Sequence, residues 1–221
     1  MEKIRTTSRF ISTFFVTTAI SCFCYSLFAL LLLHLLRPDY ALRSHMISDY
    51  AVGPYGWVMT TCFLAMGCGL LALLLGLFRS GPRSAVARIG TLLLGIAVLG
   101  LVVSAIFPTD LPGAPSTRSG AIHDTSFLVN VGSIILATML LSLSFGGDSR
   151  WRPYRRTAVL LASLIVIAFV LQFLTLHRGM PYGYTNRLFV ALLYGWLLVT
   201  SIRLRAVARD SAHESNGPIT E

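Results

Sequence analysis

Charge is the scarcest property of this 221-residue chain. Asp, Glu, Lys and Arg make up only 12% of it, about half the roughly 25% that is typical of soluble domains. Hydrophobic residues reach 55%, and the mean hydropathy is +0.72. The alternating apolar and polar pattern of membrane strands is also absent, which argues against a membrane β-barrel. In lipid the backbone must then satisfy its own hydrogen bonds, so the composition predicts a helical membrane protein.

The strong catalytic signatures are missing as well. The chain contains no HExxH, GxSxG or CxxC sequence, so no motif by itself assigns an enzyme class. All four cysteines fall inside apolar segments, which argues against a disulfide framework. No charged residue or histidine lies near the centre of an apolar segment, which argues against proton-coupled transport. The basic residues are scattered over short connections, so nucleic acid is not an expected partner.

Six apolar segments are long enough to cross a membrane, which needs about 20 residues for a ~30 Å hydrocarbon core. They predict an all-α bundle of six transmembrane helices within one domain, residues 1–205. The predicted spans are about 11–36, 57–78, 89–107, 121–145, 157–176 and 185–202. The polar stretch 206–221 is predicted to be a disordered cytoplasmic tail.

The distribution of Arg and Lys predicts the orientation. Thirteen basic residues fall on one side of the six spans and five on the other. The five are Arg37, Arg43, Arg118, Arg178 and Arg187. Because positive residues collect on the cytoplasmic side, both termini are expected in the cytoplasm, with the protein in a plasma (inner) membrane and in contact with anionic lipid.

Polar ionisable residues gather on the predicted outward side, which holds four of the five histidines. His45, Asp110 and His123 are candidate metal ligands, because imidazole and carboxylate are the ligands of zinc and related divalent ions. Asp49, four residues after His45, is the candidate catalytic residue, orienting a ligand histidine or acting as a base. The alternative is that these residues only form helix caps and local hydrogen bonds.

Arginines surround the same predicted face. The forked guanidinium group suits phosphate or carboxylate, so Arg43, Arg118 and Arg187 are candidate ligand-binding residues for a lipid-like or acidic amphiphile. Ion pairing with the neighbouring aspartates is the alternative.

Four pieces of the sequence carry a family resemblance: LRPDY, SHMISDYAVGPYGWVM, IFPTD and the later His123. Together they resemble the domain-of-unknown-function family 998, whose members are integral membrane proteins of bacteria and archaea. The resemblance covers about residues 10–205 and implies a six-span bundle without an assigned activity.

Three functions therefore remain open from the sequence. The first is an outward polar pocket that binds, and in one version hydrolyses, a lipid-like ligand with a divalent metal. The second is a structural or partner-binding membrane subunit whose polar residues only fix the loops. The third is a passive permease, with a polar path through Asn130 and Gln172. The ligand and the oligomeric state are left open.

Overall fold

The computed structural model describes residues 2–177 and 179–214, and it gives side chains for 13–177 and 179–209. Predictions for Arg178 and for residues 215–221 therefore lie outside the described residues. The described chain forms six α-helices: α1 Glu2–Leu36, α2 Gly56–Ser80, α3 Ala85–Ile106, α4 Arg118–Ser144, α5 Arg155–Thr175 and α6 Tyr182–Glu214. Three short 3-10 helices lie in the connections, at Ile47–Ala51, Phe145–Gly147 and Arg152–Tyr154.

The predicted six-span helical architecture is confirmed. Six stretches of 22 to 30 residues are long and apolar enough to cross a membrane, and each of them covers most or all of one α-helix. The described chain contains no strand. Two helix starts follow from capping side chains, because the Ser84 and Thr117 hydroxyls accept hydrogen bonds from Ala87 and Gly120 N–H. Thr117 thus starts α4 about three residues before the predicted span at 121.

The helices form a closed ring. Each packs against its neighbours in the chain, and α6 also packs against α1 and α2. Buried apolar side chains such as Phe23, Leu70, Leu94 and Ile134 fill the interior. Large apolar side chains such as Leu35, Phe78 and Leu92 remain exposed on the outer surface, as expected for a bundle surrounded by lipid.

The two ends of the ring differ in character. Connections 81–84 and 145–154, with the C-terminal part of α6, make one end rich in arginine, which we call the basic end. Connections 37–55, 107–117 and 176–181 make the other, which we call the loop end. At the basic end the Trp151 indole stacks on Phe145 and donates to the Ser80 carbonyl at 3.1 Å, joining the two connections there.

The predicted tail begins too early. Helix α6 continues through residues 206–214, and Val207 is fully buried. The sequence AVA at 206–208 carries no helix breaker, and the buried valine extends the apolar face of α6 by one turn. The rest of the predicted tail, 215–221, lies outside the described residues.

Candidate functional site

The long connection 37–55 folds back over the loop end and is held there by Arg37. Its guanidinium group is buried and donates to the Asp39 carboxylate at 2.8 Å and to the Val52 carbonyl at 2.6 Å. It also lies 3.7 Å from the centre of the Tyr40 ring. The pairing lowers the pKa of Asp39 below its usual value, chiefly through the hydrogen bond with Arg37. Arg37 therefore joins the start of the connection 37–55 to its end.

Gly53 allows the end of the connection 37–55 to approach Arg37 closely. Its φ is +93°, a conformation that favours glycine, and a Cβ there would lie 2.9 Å from Arg37 Nη1. The sequence pieces LRPDY and AVGPYG are thus two halves of one contact. Within the same connection, His45 stacks on Tyr40 with 4.6 Å between ring centroids and an interplanar angle of 9°.

Arg187, near the start of α6, is the centre of the polar contacts. Its Nε donates to His34 Nε2 at 2.8 Å and its Nη2 donates to the Tyr50 hydroxyl at 3.2 Å. Its Nη1 donates to the carbonyls of Leu42, His45 and Gly183. These contacts join α1, the connection 37–55 and α6. Because every nitrogen of the group is engaged inside the protein, Arg187 serves to hold the loop end together.

Asp49 lies buried in the 3-10 helix Ile47–Ala51, close to the start of α6. Its carboxyl accepts a hydrogen bond from Met46 N–H at 3.0 Å. Burial raises the pKa of Asp49 to about 7, although the Met46 hydrogen bond and the charge of Arg187 act in the opposite direction. Asp49 is therefore a carboxyl group that loses its proton near neutral pH.

The start of α6 is fitted closely against this connection. The buried Asn186 side-chain oxygen accepts from Ile47 N–H at 3.0 Å, and Gly183 N–H donates to the Arg43 carbonyl at 2.9 Å. A Cβ on Gly183 would lie 2.3 Å from the Leu42 carbonyl oxygen. The start of α6 therefore packs directly against the connection 37–55.

Asp110 belongs to a separate local structure at the start of α4. Its Oδ2 accepts from Thr117 N–H at 2.7 Å, and its Oδ1 accepts from the Thr117 hydroxyl at 2.8 Å. The same hydroxyl accepts from Gly120 N–H. A carboxylate at a helix N-terminus is stabilised by the free N–H groups and the helix dipole. Asp110 thus holds Thr117, the residue that caps α4, in place.

His123 is buried between α3 and α4. Its Nδ1 lies 2.8 Å from the Phe107 carbonyl oxygen, so this nitrogen carries the proton and donates. Its ring packs at a tilt against Phe63, with 6.0 Å between centroids. The Nδ1 contact joins the end of α3 to α4.

The predicted metal ligands His45, Asp110 and His123 do not come together. Among the side chains of residues 13–177 and 179–209, no group of three His, Cys, Asp or Glu is placed to hold a metal ion. Asp49 accordingly has no metal-bound histidine to orient. The reason is geometric: the pairs His45 with Tyr40, Asp110 with Thr117 and His123 with Phe107 are each local contacts, in separate connections or helix ends.

A groove of about 590 Å³ lies beside these contacts, on the outer surface between α3 and α4. Its walls are apolar, with Leu99, Ile122 and Val129 among the lining residues, and Arg118 lies at its loop-end mouth. Of the three predicted ligand arginines, Arg187 donates all of its guanidinium nitrogens within the protein. Arg43 donates to the Gly179 carbonyl at 3.4 Å. Arg118 is exposed and has no hydrogen bond or ion pair to the described residues.

Sequence reasoning missed three residues that organise the loop end: His34, Arg37 and Asn186. The R-x-D spacing in LRPDY was a usable signal for the Arg37–Asp39 pair. Nothing in the sequence links His34 or Asn186 to residues more than 130 positions away, because those contacts depend on how the ring closes.

Comparison with known proteins gives a family and no function. The model of the family described as protein of unknown function (DUF998) matches residues 19–203, and the chain belongs to this family. No curated protein and no solved structure matches the chain.

Proposed function

We propose that this member of the DUF998 family, a multi-pass membrane protein, binds an anionic, fatty-acid-like amphiphile in the groove between α3 and α4. The apolar chain lies along the groove, and the acidic head meets Arg118. The observation that carries the proposal is the combination of an apolar groove with an unpaired arginine at its mouth.

The lining favours a hydrocarbon chain. Nine of its ten residues are uncharged, and Ile96, Leu99 and Val129 turn exposed apolar surface outward. Pockets that bind apolar ligands have such walls with a few polar groups to fix orientation. The groove runs along α4 from Arg118 to Val129, a rise of about 17 Å at ~1.5 Å per residue. That is about half of a ~30 Å hydrocarbon core, so a chain in it stays within one leaflet.

Charge favours an acidic head. Asp110 accepts hydrogen bonds from Thr117 through both of its oxygens, and Asp124, six positions after Arg118, makes no ion pair with it. Arg118 is therefore left to a ligand, and a guanidinium group binds carboxylate or phosphate through paired hydrogen bonds. In the orientation that the arginine distribution predicts, Arg118 lies at the head-group level of the outward leaflet.

Binding alone fits the groove better than hydrolysis does. Its two hydroxyl groups are turned toward their own helix: Ser126 donates to the His123 carbonyl at 2.9 Å, and Thr125 donates to the Ala121 carbonyl at 2.8 Å. A nucleophile would need a base within hydrogen-bond reach, and the buried Ser126 hydroxyl shares its second contact with Ser104.

A fluorescent fatty acid tests the proposal directly. Purified protein in detergent is titrated with cis-parinaric acid, and binding is read by energy transfer from tryptophan. Saturable binding is expected, with displacement by oleic acid. Ala121→Trp should fill the groove and abolish binding. Leu136→Trp, which adds the same ring to an exposed position of α4 outside the groove, should leave it unchanged.

The charge is tested separately. Wild type should prefer oleic acid to oleyl alcohol by about tenfold, which corresponds to one charge-assisted contact. Arg118→Gln should lose that preference, and Arg88→Gln, at the opposite end of α3, should keep it. Equal binding by the two tryptophan variants, both folded by thermal unfolding, would refute the groove as the site. Non-saturable uptake by wild type would refute the function.

A further inference from the structure

A second pocket lies at the opposite end of the protein. At the basic end, Ser149, Arg152, Pro153 and Arg156 line a pocket of about 400 Å³ where the connection 145–154 enters α5. All four residues are exposed. Arg152 lies in the 3-10 helix that leads into α5 and Arg156 in the first turn of α5, and both line the pocket.

These two arginines have no acidic partner among the described side chains. Among the side chains described at the basic end, Asp148 is the one carboxylate, and it is bound by Arg150 through both of its oxygens. Neither Arg152 nor Arg156 makes a side-chain hydrogen bond or ion pair with the described residues. Two uncompensated cations beside a serine hydroxyl make a site for an anion with several oxygens, above all phosphate.

The surface of α5 below the pocket shows where that phosphate comes from. The span of α5 begins at Arg152, which places the pocket at the level of lipid head groups. Leu160, Leu164, Ile167 and Leu171 continue the line of Arg152 and Arg156 at helical spacing, and all four are exposed. A cationic pocket that leads directly onto an apolar strip has the polarity of a phospholipid.

We infer that Ser149, Arg152 and Arg156 bind the phosphate of an anionic phospholipid, and that its acyl chain lies along the strip from Leu160 to Leu171. This site is independent of the groove between α3 and α4. In the predicted orientation it faces the cytoplasmic leaflet, where anionic lipids are attracted by basic residues. The apolar strip from Leu160 to Leu171 favours a phospholipid over free phosphate, because free phosphate has no apolar group to contact it.

Native mass spectrometry of the full chain in detergent tests the site. With equal amounts of phosphatidylglycerol and phosphatidylcholine added, wild type should retain one phosphatidylglycerol. The double variant Arg152→Gln/Arg156→Gln should weaken its retention by about thirtyfold. The matched control is Arg205→Gln/Arg209→Gln, which removes two exposed arginines with the same spacing from α6, outside the pocket.

Three results would overturn the inference. Equal loss in the two double variants would mean that only the total charge matters. Equal retention of the two lipids by wild type would mean that the head-group charge is not recognised. Displacement of the lipid by an equal concentration of inorganic phosphate would mean that the pocket takes the free anion. Because all four substituted arginines are exposed, circular dichroism should show unchanged helix content in every variant.

Discussion

Arg187 and His34 are 153 positions apart in the chain, and Nε of the first donates to Nε2 of the second at 2.8 Å. The second ring nitrogen of His34 lies 2.6 Å from the Leu30 carbonyl oxygen, so Nδ1 carries the proton and Nε2 is free to accept. This contact joins the first and last helices of the ring through one neutral imidazole.

Arg187→Lys should destabilise the protein although it keeps the charge. A lysine ammonium has three donors without the planar fork, and it cannot serve His34, Tyr50 and three carbonyls together. We expect a loss of about 2–3 kcal/mol, at roughly 1 kcal/mol for each hydrogen bond that is not replaced. The measurement is thermal or denaturant unfolding in detergent. Stability equal to wild type would contradict the assigned role of Arg187. Arg43→Lys, at a more exposed position with one long contact, is the control.

Asp49 should make stability depend on pH. Its folded-state pKa of about 7 lies above the ordinary value near 4. Between these values the folded state keeps a proton that the unfolded state has lost, so the free energy of unfolding falls as pH rises from about 4 to about 7. The upper bound is about 4 kcal/mol.

Asp49→Asn removes that dependence, because its amide oxygen still accepts from Met46 and cannot ionise. The variant should match wild type near pH 4 and increasingly exceed it in melting temperature up to pH 8. The difference between the two proteins isolates Asp49 from every other group that titrates. A pH-independent difference would mean that Asp49 is charged in the folded protein.

Gly120 and Asp110 should be energetically coupled. A Cβ at position 120 would lie 2.0 Å from Asp110 Oδ2, so Gly120→Ala must displace the Asp110 carboxylate. We expect this variant to lose about 1 kcal/mol, the usual worth of a cap. In an Asp110→Ala background the sign should reverse, since alanine is better than glycine inside a helix by about 1 kcal/mol. Additive effects in a double-mutant cycle of unfolding would disprove the contact.

Zinc should not stabilise the protein. The three sequence-predicted ligands are held in separate hydrogen bonds or ring contacts. The melting temperature should therefore be the same in zinc and in a chelator, for wild type and for His123→Ala. A zinc-dependent rise in wild type that disappears in both His123→Ala and Asp110→Asn would restore the metal site.

Hydropathy was enough to predict the number of helices and most of their bounds, because each span must supply about 20 apolar residues whatever its neighbours are. The ends were less predictable. Thr117 extends α4 with a capping hydroxyl, and Val207 extends α6 with one more buried residue, and neither changes the hydropathy of the span.

The candidate site was harder to predict for a different reason. The residue types suggested that His45, Asp110 and His123 bind one metal ion. Residue type, however, carries no information on which helix ends lie together. The contacts of Arg37 within its own connection were accessible from the R-x-D spacing. Those of Arg187 were not, because its partners come from the far end of the chain.

The closing of the ring by α6 has a consequence for biosynthesis. Chains are inserted from the N-terminus, so α6, which packs against both α1 and α2, leaves the ribosome after the five helices before it. Until α6 is inserted, His34 and the carbonyls of the connection 37–55 lack the guanidinium group that donates hydrogen bonds to them. A nascent chain that stops before α6 therefore leaves unpaired polar groups at the loop end.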